Sequence, residues 1–368
     1  MKKIFIIFTI TILYSVNFAQ ENYPGYLYFG TSLDMITNPA SIVMGESFVA
    51  NPNNVSSFIE NPANLSPSKH LGIYYNYRSH DWSEAAKNFN FTSVGISTHT
   101  GWGMLGFNMS QFSTGTNSIN FYSDLISKEI NRTYQLSLSK AVFKNLFVGA
   151  SLKIFNHSKT GDRFSGGIES NNAYLIDLGF RYNISLGIAT HFQNELNIGT
   201  AIQNFGTDYK EQNSFFSDNY YLVRLPKFFK IGFAYSFEFK NESGTSDFEG
   251  TITGQYKNLL NPFEDGKFDV DYWGAGLELL VKNIFCARVG FIQTPERWLF
   301  YERAKPILRY GFGLIVPFEK LGIKIPLLVS VDYSFIPINS NSSNQEGFSA
   351  NNMLYAIGLS VRYKSVFF

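Results

Sequence analysis

Charge is scarce in this sequence. Asp, Glu, Lys and Arg together make up 16% of its 368 residues, against about a quarter in ordinary soluble domains. That is too little charge to cover a water-exposed surface of this size. The net charge of +1 lacks the basic excess that nucleic acid demands. One cysteine, Cys286, excludes an internal disulfide framework. The five histidines, His70, His80, His99, His157 and His191, are scattered without ligand spacing. No zinc or iron site, and no cofactor, is therefore expected. P-loop, G-x-S-x-G and H-E-x-x-H patterns are missing, and no enzyme is expected. Past residue 20 there is no apolar run of the roughly 18 residues that a transmembrane helix needs.

Aromatics and glycine are abundant instead, with 37 Phe, 22 Tyr and 30 Gly. Their arrangement is most regular in 174–192. Every even position there except Thr190 is apolar, from Tyr174, Ile176, Leu178 and Phe180 to Phe192. The odd positions carry Asp177, Gly179, Arg181, Asn183 and Ser185. A period of two puts the two sets on opposite faces of a β-ribbon. In a soluble sandwich the apolar face meets a core. In a transmembrane barrel it meets lipid, and the polar face meets the lumen.

Residues 1–19 have the form of a secretory signal peptide. Lys2 and Lys3 make the basic start, 4–16 is the apolar centre, and Ala19 offers a cleavage point before Gln20. Asn17 departs from the usual small residue at the third position before that point. Export without a transmembrane helix leaves the periplasm, the exterior or the outer membrane.

Residues 20–69 read differently from the rest. They are rich in Asn, Pro and Ser and show no sustained alternation. Two Asn-Pro-Ala triplets, 38–40 and 61–63, are expected to end or redirect helices, since a residue before proline avoids the helical region. Between them, 54–59 reads as one or two helical turns capped by Asn53 or Asn54. The plain reading is an irregular arm. The sharper one is a compact plug inside a barrel.

The run ASIVMGESFVA at 40–50, followed by SSFIENPANL at 56–65, resembles the entry motif of the FadL-like outer-membrane barrels, most closely the PorV/PorQ branch. The motif residues are Met44, Gly45, Asn61, Pro62, Ala63 and Leu65. Further matches are Asp177-Leu178-Gly179, 201–206 (AIQNFG), Leu225-Pro226 and Val331-Asp332-Tyr333. Where that family carries acidic residues, this chain has Asn51-Pro52-Asn53-Asn54. The resemblance implies a monomeric barrel of about 14 strands in the outer membrane of a diderm bacterium. It also implies an N-terminal plug.

Alternation alone yields a matching set of strands, at 71–77, 89–98, 102–112, 131–140, 146–155, 173–192, 195–205, 227–237, 247–256, 270–280, 284–293, 307–316, 323–335 and 353–363. The fold class is all-β, a transmembrane antiparallel barrel over 70–368. Each strand has the roughly ten residues that a tilted crossing needs. The ribbon 173–192 is longer, and either runs past the membrane or turns near Asn183-Ile184-Ser185. The terminal Phe367-Phe368 resembles the insertion signal of outer-membrane proteins. The stretch 210–221 (KEQNSFFSDNYY) reads as a loop with an aromatic centre.

The expected lumen face carries Lys153, Asp177, Arg181, Lys230, Glu278, Arg288, Arg309, Lys324, Asp332 and Arg362. Mixed signs favour cross-strand salt bridges over an open polar channel. Two functions follow from the resemblance. One is an adaptor of type IX-like secretion, with a translocon or secreted cargo as partner. The other is a passive transporter of hydrophobic small molecules or long-chain fatty acids, which calls for an opening in the wall near Asn61-Pro62-Ala63.

Overall fold

A computed structural model describes residues 31–65, 71–79, 89–114, 127–161, 164–169, 172–189, 191–212, 220–242, 244, 246–260, 271–293, 306–337 and 353–363. The stretch 1–19 and the terminal Phe367-Phe368 lie outside these residues.

Fourteen antiparallel strands close into one barrel. They are β1 (Leu71–Ser79), β2 (Asn90–Thr100), β3 (Gly103–Ser113), β4 (Ser127–Phe143), β5 (Leu146–Gly161), β6 (Ala173–Ala189), β7 (Phe192–Gly206), β8 (Phe228–Lys240), β9 (Ser246–Leu259), β10 (Tyr272–Val281), β11 (Phe285–Gln293), β12 (Pro306–Pro317), β13 (Leu327–Pro337) and β14 (Met353–Tyr363). Each strand pairs with its sequence neighbour, and β14 returns to β1 through a ladder from Leu71↔Tyr363 to Arg78↔Ala356. Closure leaves no free edge, so the backbone groups of the ladders pair within the wall without water.

The alternating residues sort as lipid and lumen require. Along β6, Tyr174, Ile176, Leu178, Phe180 and Tyr182 are exposed, while Leu175, Asp177 and Arg181 between them are buried. Rings gather on the exterior near both ends of the strands, as at the two interfaces of a bilayer. Phe192 and Phe239 lie 4.9 Å apart at the ends of β7 and β8 that face the tight connections. Tyr310 stacks on Phe335 at 5.1 Å in the opposite half of β12 and β13.

One rim has tight connections, such as 101–102, 144–145 and 282–284; the other has long ones, such as 207–227 and 338–352. The tight rim is the periplasmic side of such a barrel.

The ribbon does not turn at Asn183. It is a single strand of 17 residues, roughly 55 Å long at the usual rise per residue. It outruns the membrane and absorbs a bulge between Ser185 and Gly187. At the other end of the chain, Lys324 leaves the expected lumen face. It lies exposed in the turn between β12 and β13, because Pro326 has no N–H to give a ladder and β13 starts only at Leu327.

A barrel of this strand number is too wide for wall side chains alone to fill. Residues 31–65 occupy the space. Ile42, Phe58 and Ala63 are fully buried, and Phe48 and Leu65 are nearly so. This plug contains one helix, α1 (Pro39–Val43), and short 3-10 turns at Thr31–Leu33, Ser57–Ile59 and Pro62–Asn64.

Candidate functional site

The two Asn-Pro-Ala triplets start helices rather than end them. Asn38 caps α1, its side-chain oxygen accepting from Ala40 N at 3.0 Å, with Pro39 at the first helical position. Asn61 does the same for Ala63 N, also at 3.0 Å, ahead of the turn Pro62–Asn64. Asparagine suits a cap because its own backbone stays extended, and proline at the next position lacks only an N–H that would have had no helical partner.

The helix stops at Met44-Gly45. Gly45 has φ +68°, and Glu46 N donates to Ser41 O at 2.8 Å, closing the last turn. A Cβ on Gly45 would strike the backbone of Ala275 and Phe291. The Met-Gly pair is therefore both a helix terminus and the contact of the plug with β10 and β11. Leu65 packs with Phe58, Tyr74 and Met104.

Wall side chains satisfy the plug's backbone from many directions. Arg78 donates to Ile36 O at 3.0 Å, Arg309 to Ile42 O at 3.0 Å, and Gln203 to Ile59 O at 2.8 Å. Gln255 accepts from Val49 N at 2.9 Å. Irregular backbone at membrane depth is tolerated on these terms only.

The plug's charges are all acidic: Asp34, Glu46 and Glu60 are its only ionisable side chains. The wall answers with cations. Lys257 pairs with Asp34 and lies 4.4 Å and 4.3 Å from the ring centres of Phe228 and Tyr272. Tyr272 also donates its hydroxyl to Asp34. Arg309 pairs with Glu46 at 2.9 Å. Burial alone would raise the Glu46 carboxyl, but Arg309 and Arg78 hold it below its ordinary value. At Glu60 burial wins, and the carboxyl is pushed up to about 7 despite the pull of Lys230.

The remaining sequence-predicted charges fall into three groups. Glu278 and Arg288 are directly opposed across β10 and β11, 2.5 Å apart. Arg288 also reaches Asp332 on β13, again at 2.5 Å, passing over Gly313, whose missing side chain leaves the way clear. These three line a cavity of about 350 Å³ at the tight rim, with Arg362 beside them. Arg181 lies 4.2 Å from the Phe147 ring centre and donates to Asn197 at 2.9 Å. It lines a second cavity of about 450 Å³, which Arg362 also borders.

Asp177 is set apart from both. It pairs with Lys153 at 2.6 Å and accepts from Asn204 N at 2.8 Å, pinning a bulge in β7 where Asn204 has φ 61°.

Apolar clusters lie in the half of the lumen nearer the long loops, beside the buried cations Arg78, Lys230, Lys257 and Arg309. Leu33 packs on Phe155, Leu175, Tyr209 and Leu225. Met35 packs on Phe89, Phe91 and Phe112. Ile36 packs with Ile336 and Leu354. Tyr209 and Leu225 come from the long connection after β7, where Tyr209–Gln212 and Tyr220–Val223 form a hairpin.

The chain is similar in fold to outer-membrane barrels of the FadL family. The Pseudomonas putida toluene transporter TodX matches at 12% identity over 89% of this chain and 98% of that one, with a TM-score of 0.46. A Pseudomonas aeruginosa FadL homologue matches at 12% identity over the same shares, with a TM-score of 0.43. No family model matches the sequence, and neither does any curated protein. The barrel assignment rests on the closed ladder itself.

Sequence reading missed Arg78 and Lys257. Both fall just past the strand ends it drew, at Tyr77 and Tyr256. The parity of Tyr74-Asn76-Arg78 and of Thr253-Gln255-Lys257 would have placed them on the lumen face. Asp34, Glu46 and Glu60 are the only ionisable residues of 31–65, but no local pattern points to their partners.

Proposed function

We propose that this protein is a passive transporter carrying hydrophobic small molecules, long-chain fatty acids among them, across the outer membrane. The observation behind this reading is the set of apolar clusters that Leu33, Met35 and Ile36 make with the wall on the long-loop side. A pore for hydrophilic solutes gains nothing from Phe89, Phe91, Phe112, Phe155 and Leu354 facing inward. A hydrophobic molecule arriving from outside would replace Leu33, Met35 and Ile36 against those surfaces.

The wall beside Asn61-Pro62-Ala63 is continuous. The ladders of β5 with β6 run unbroken from Leu146↔Tyr182 to Phe155↔Ala173. A route into the membrane is better sited at the outer end of β7. There the pairing with β8 stops at Gln203↔Phe228, and Asn204 holds Pro226 O by its side chain at 3.1 Å.

One observation favours a second reading. The plug occupies the lumen, and each of the fourteen wall strands is paired on both sides, so the barrel as it stands suits an adaptor of PorV/PorQ type that passes nothing. One experiment separates the two. A strain lacking the protein is assayed for uptake of a radiolabelled long-chain fatty acid and for release of secreted proteins. Loss of uptake with normal secretion is expected. Intact uptake with secreted proteins held in the periplasm would transfer the assignment to the adaptor.

A further inference from the structure

Arg362 differs from the other arginines of the lumen. It lies half-buried on β14 at the tight rim and makes no hydrogen bond or ion pair among the described residues. Asp332, Glu278 and Glu249 attract it, but Asp332 and Glu278 are already bonded to Arg288 at 2.5 Å. Its guanidinium therefore borders the cavity of about 450 Å³ with its donors free. Arg181, on β6, lines the same cavity. Its Nε donates to Ala63 O at 3.4 Å and its Nη1 to Asn197, while Nη2 is buried with no acceptor. Glu195 offsets part of this charge, but it accepts from Asn183 and Asn197 rather than from Arg181. With Lys144 at an exposed turn, three cations line the cavity against one carboxylate among the described residues. Val55, Leu65, Met104 and Phe147 give the same cavity an apolar side.

We propose that this cavity is a binding site for a monocarboxylate with a short apolar chain, entered from the periplasm. Arg362 takes the carboxylate, because a guanidinium with free donors presents the paired N–H groups that a carboxylate accepts from. Arg181 and Lys144 add to the attraction. The chain lies against Val55, Leu65 and Met104, where its methylenes leave water. The volume falls in the range of small-molecule pockets, about 300–1,000 Å³. The plug stays in place, since Val55 and Leu65 belong to it and form part of the site. The clusters around Leu33, Met35 and Ile36 lie at the other end of the lumen, so the site is separate from the surfaces invoked for transport.

The test is equilibrium binding of radiolabelled octanoate to the full chain in lipid nanodiscs, with empty nanodiscs subtracted. Saturable binding is expected. Octanol, with the same chain and no charge, should compete at least about tenfold less well than unlabelled octanoate. Arg362→Gln should weaken octanoate at least about tenfold, and it strands no partner that folding needs. Asn53→Glu is the second variant. Asn53 is exposed on the cavity lining, and a carboxylate placed there should repel the ligand and lower its affinity by a similar factor. Absence of saturable binding, equal competition by octanol, or octanoate binding unchanged in either variant would each overturn the proposal. Uptake by cells plays no part in this measurement, so its result stands whether or not the barrel transports.

Discussion

Lys230 and Lys257 sit directly opposite each other across the β8–β9 ladder, both aimed into the lumen and both buried. Two adjacent ammonium groups out of contact with water are tolerable only with carboxylates beside them. Asp34 supplies one to Lys257, and Glu60 and Glu46 from the plug and Asp177 from the wall act on Lys230. The acidic plug thus supplies part of the charge that balances these wall cations.

The Lys257–Asp34 pair should behave as a coupled unit. Lys257→Met leaves the half-buried Asp34 without its cation, and Asp34→Asn leaves the buried Lys257 without its anion. Each should cost about 3–5 kcal/mol. The double variant should cost clearly less than the two together, because neither charge is then stranded. Unfolding in detergent micelles by heat or urea measures all three. Additive costs would mean that the pair contributes nothing as a pair.

Close approach of plug and wall makes a second prediction. A Cβ on Gly149 would strike the backbone of Pro62 and Ala63, which cannot rotate away. Gly149→Ala should therefore loosen the plug, by about 1–3 kcal/mol. Limited proteolysis between residues 31 and 65 should detect it. Gly101→Ala is the control, since nothing lies within 4 Å of its new methyl group.

Sequence alone made the wall legible because lipid and lumen impose one rule on every strand. Alternation located all fourteen, and Tyr174–Tyr182 against Leu175–Arg181 gave the two faces directly. What it could not give was the inner side of the plug. Asn-Pro-Ala reads as a helix terminator when only the residue before proline is considered. Only the cap geometry of Asn38 and Asn61 shows that it is a helix start. Lys324 was misplaced for a related reason, since the ladder cannot begin before Pro326. The long-range partners of Asp34, Glu46 and Glu60 depend on barrel closure, which no local pattern encodes.

The two caps should differ in weight. Asn38 makes one capping bond, so Asn38→Ala should cost about 1 kcal/mol. Asn61 caps Ala63 N and also donates to Val49 O at 2.6 Å and Phe180 O at 3.2 Å. Its loss removes these two bonds as well, a further penalty of about 0.5–1.5 kcal/mol, since Val49 O keeps Asn64 as a donor at 3.3 Å. Asn61→Ala should therefore destabilise clearly more than Asn38→Ala in the same unfolding assay. Equal costs would show that the bonds to Val49 and Phe180 carry no weight.

Glu60 should make plug docking depend on pH. Its carboxyl is pushed from the ordinary 4.5 up to about 7 by burial. A raised carboxyl means that the docked plug holds a proton that the released plug gives up. The linked stabilisation is present in full below pH 4.5, shrinks as pH rises, and is gone above about 7. Its upper bound is roughly 3 kcal/mol. The groups acting on it are Lys230 from the wall and Ser41 and Glu46 from the plug, and Glu46 is held ionised by Arg309 and Arg78 across this range. Proteolytic access to the plug should therefore increase from pH 5 to pH 8. Glu60→Gln, which stays neutral, should flatten that rise while leaving access at pH 5 nearly unchanged. An equally steep rise in Glu60→Gln would assign the pH response to another group.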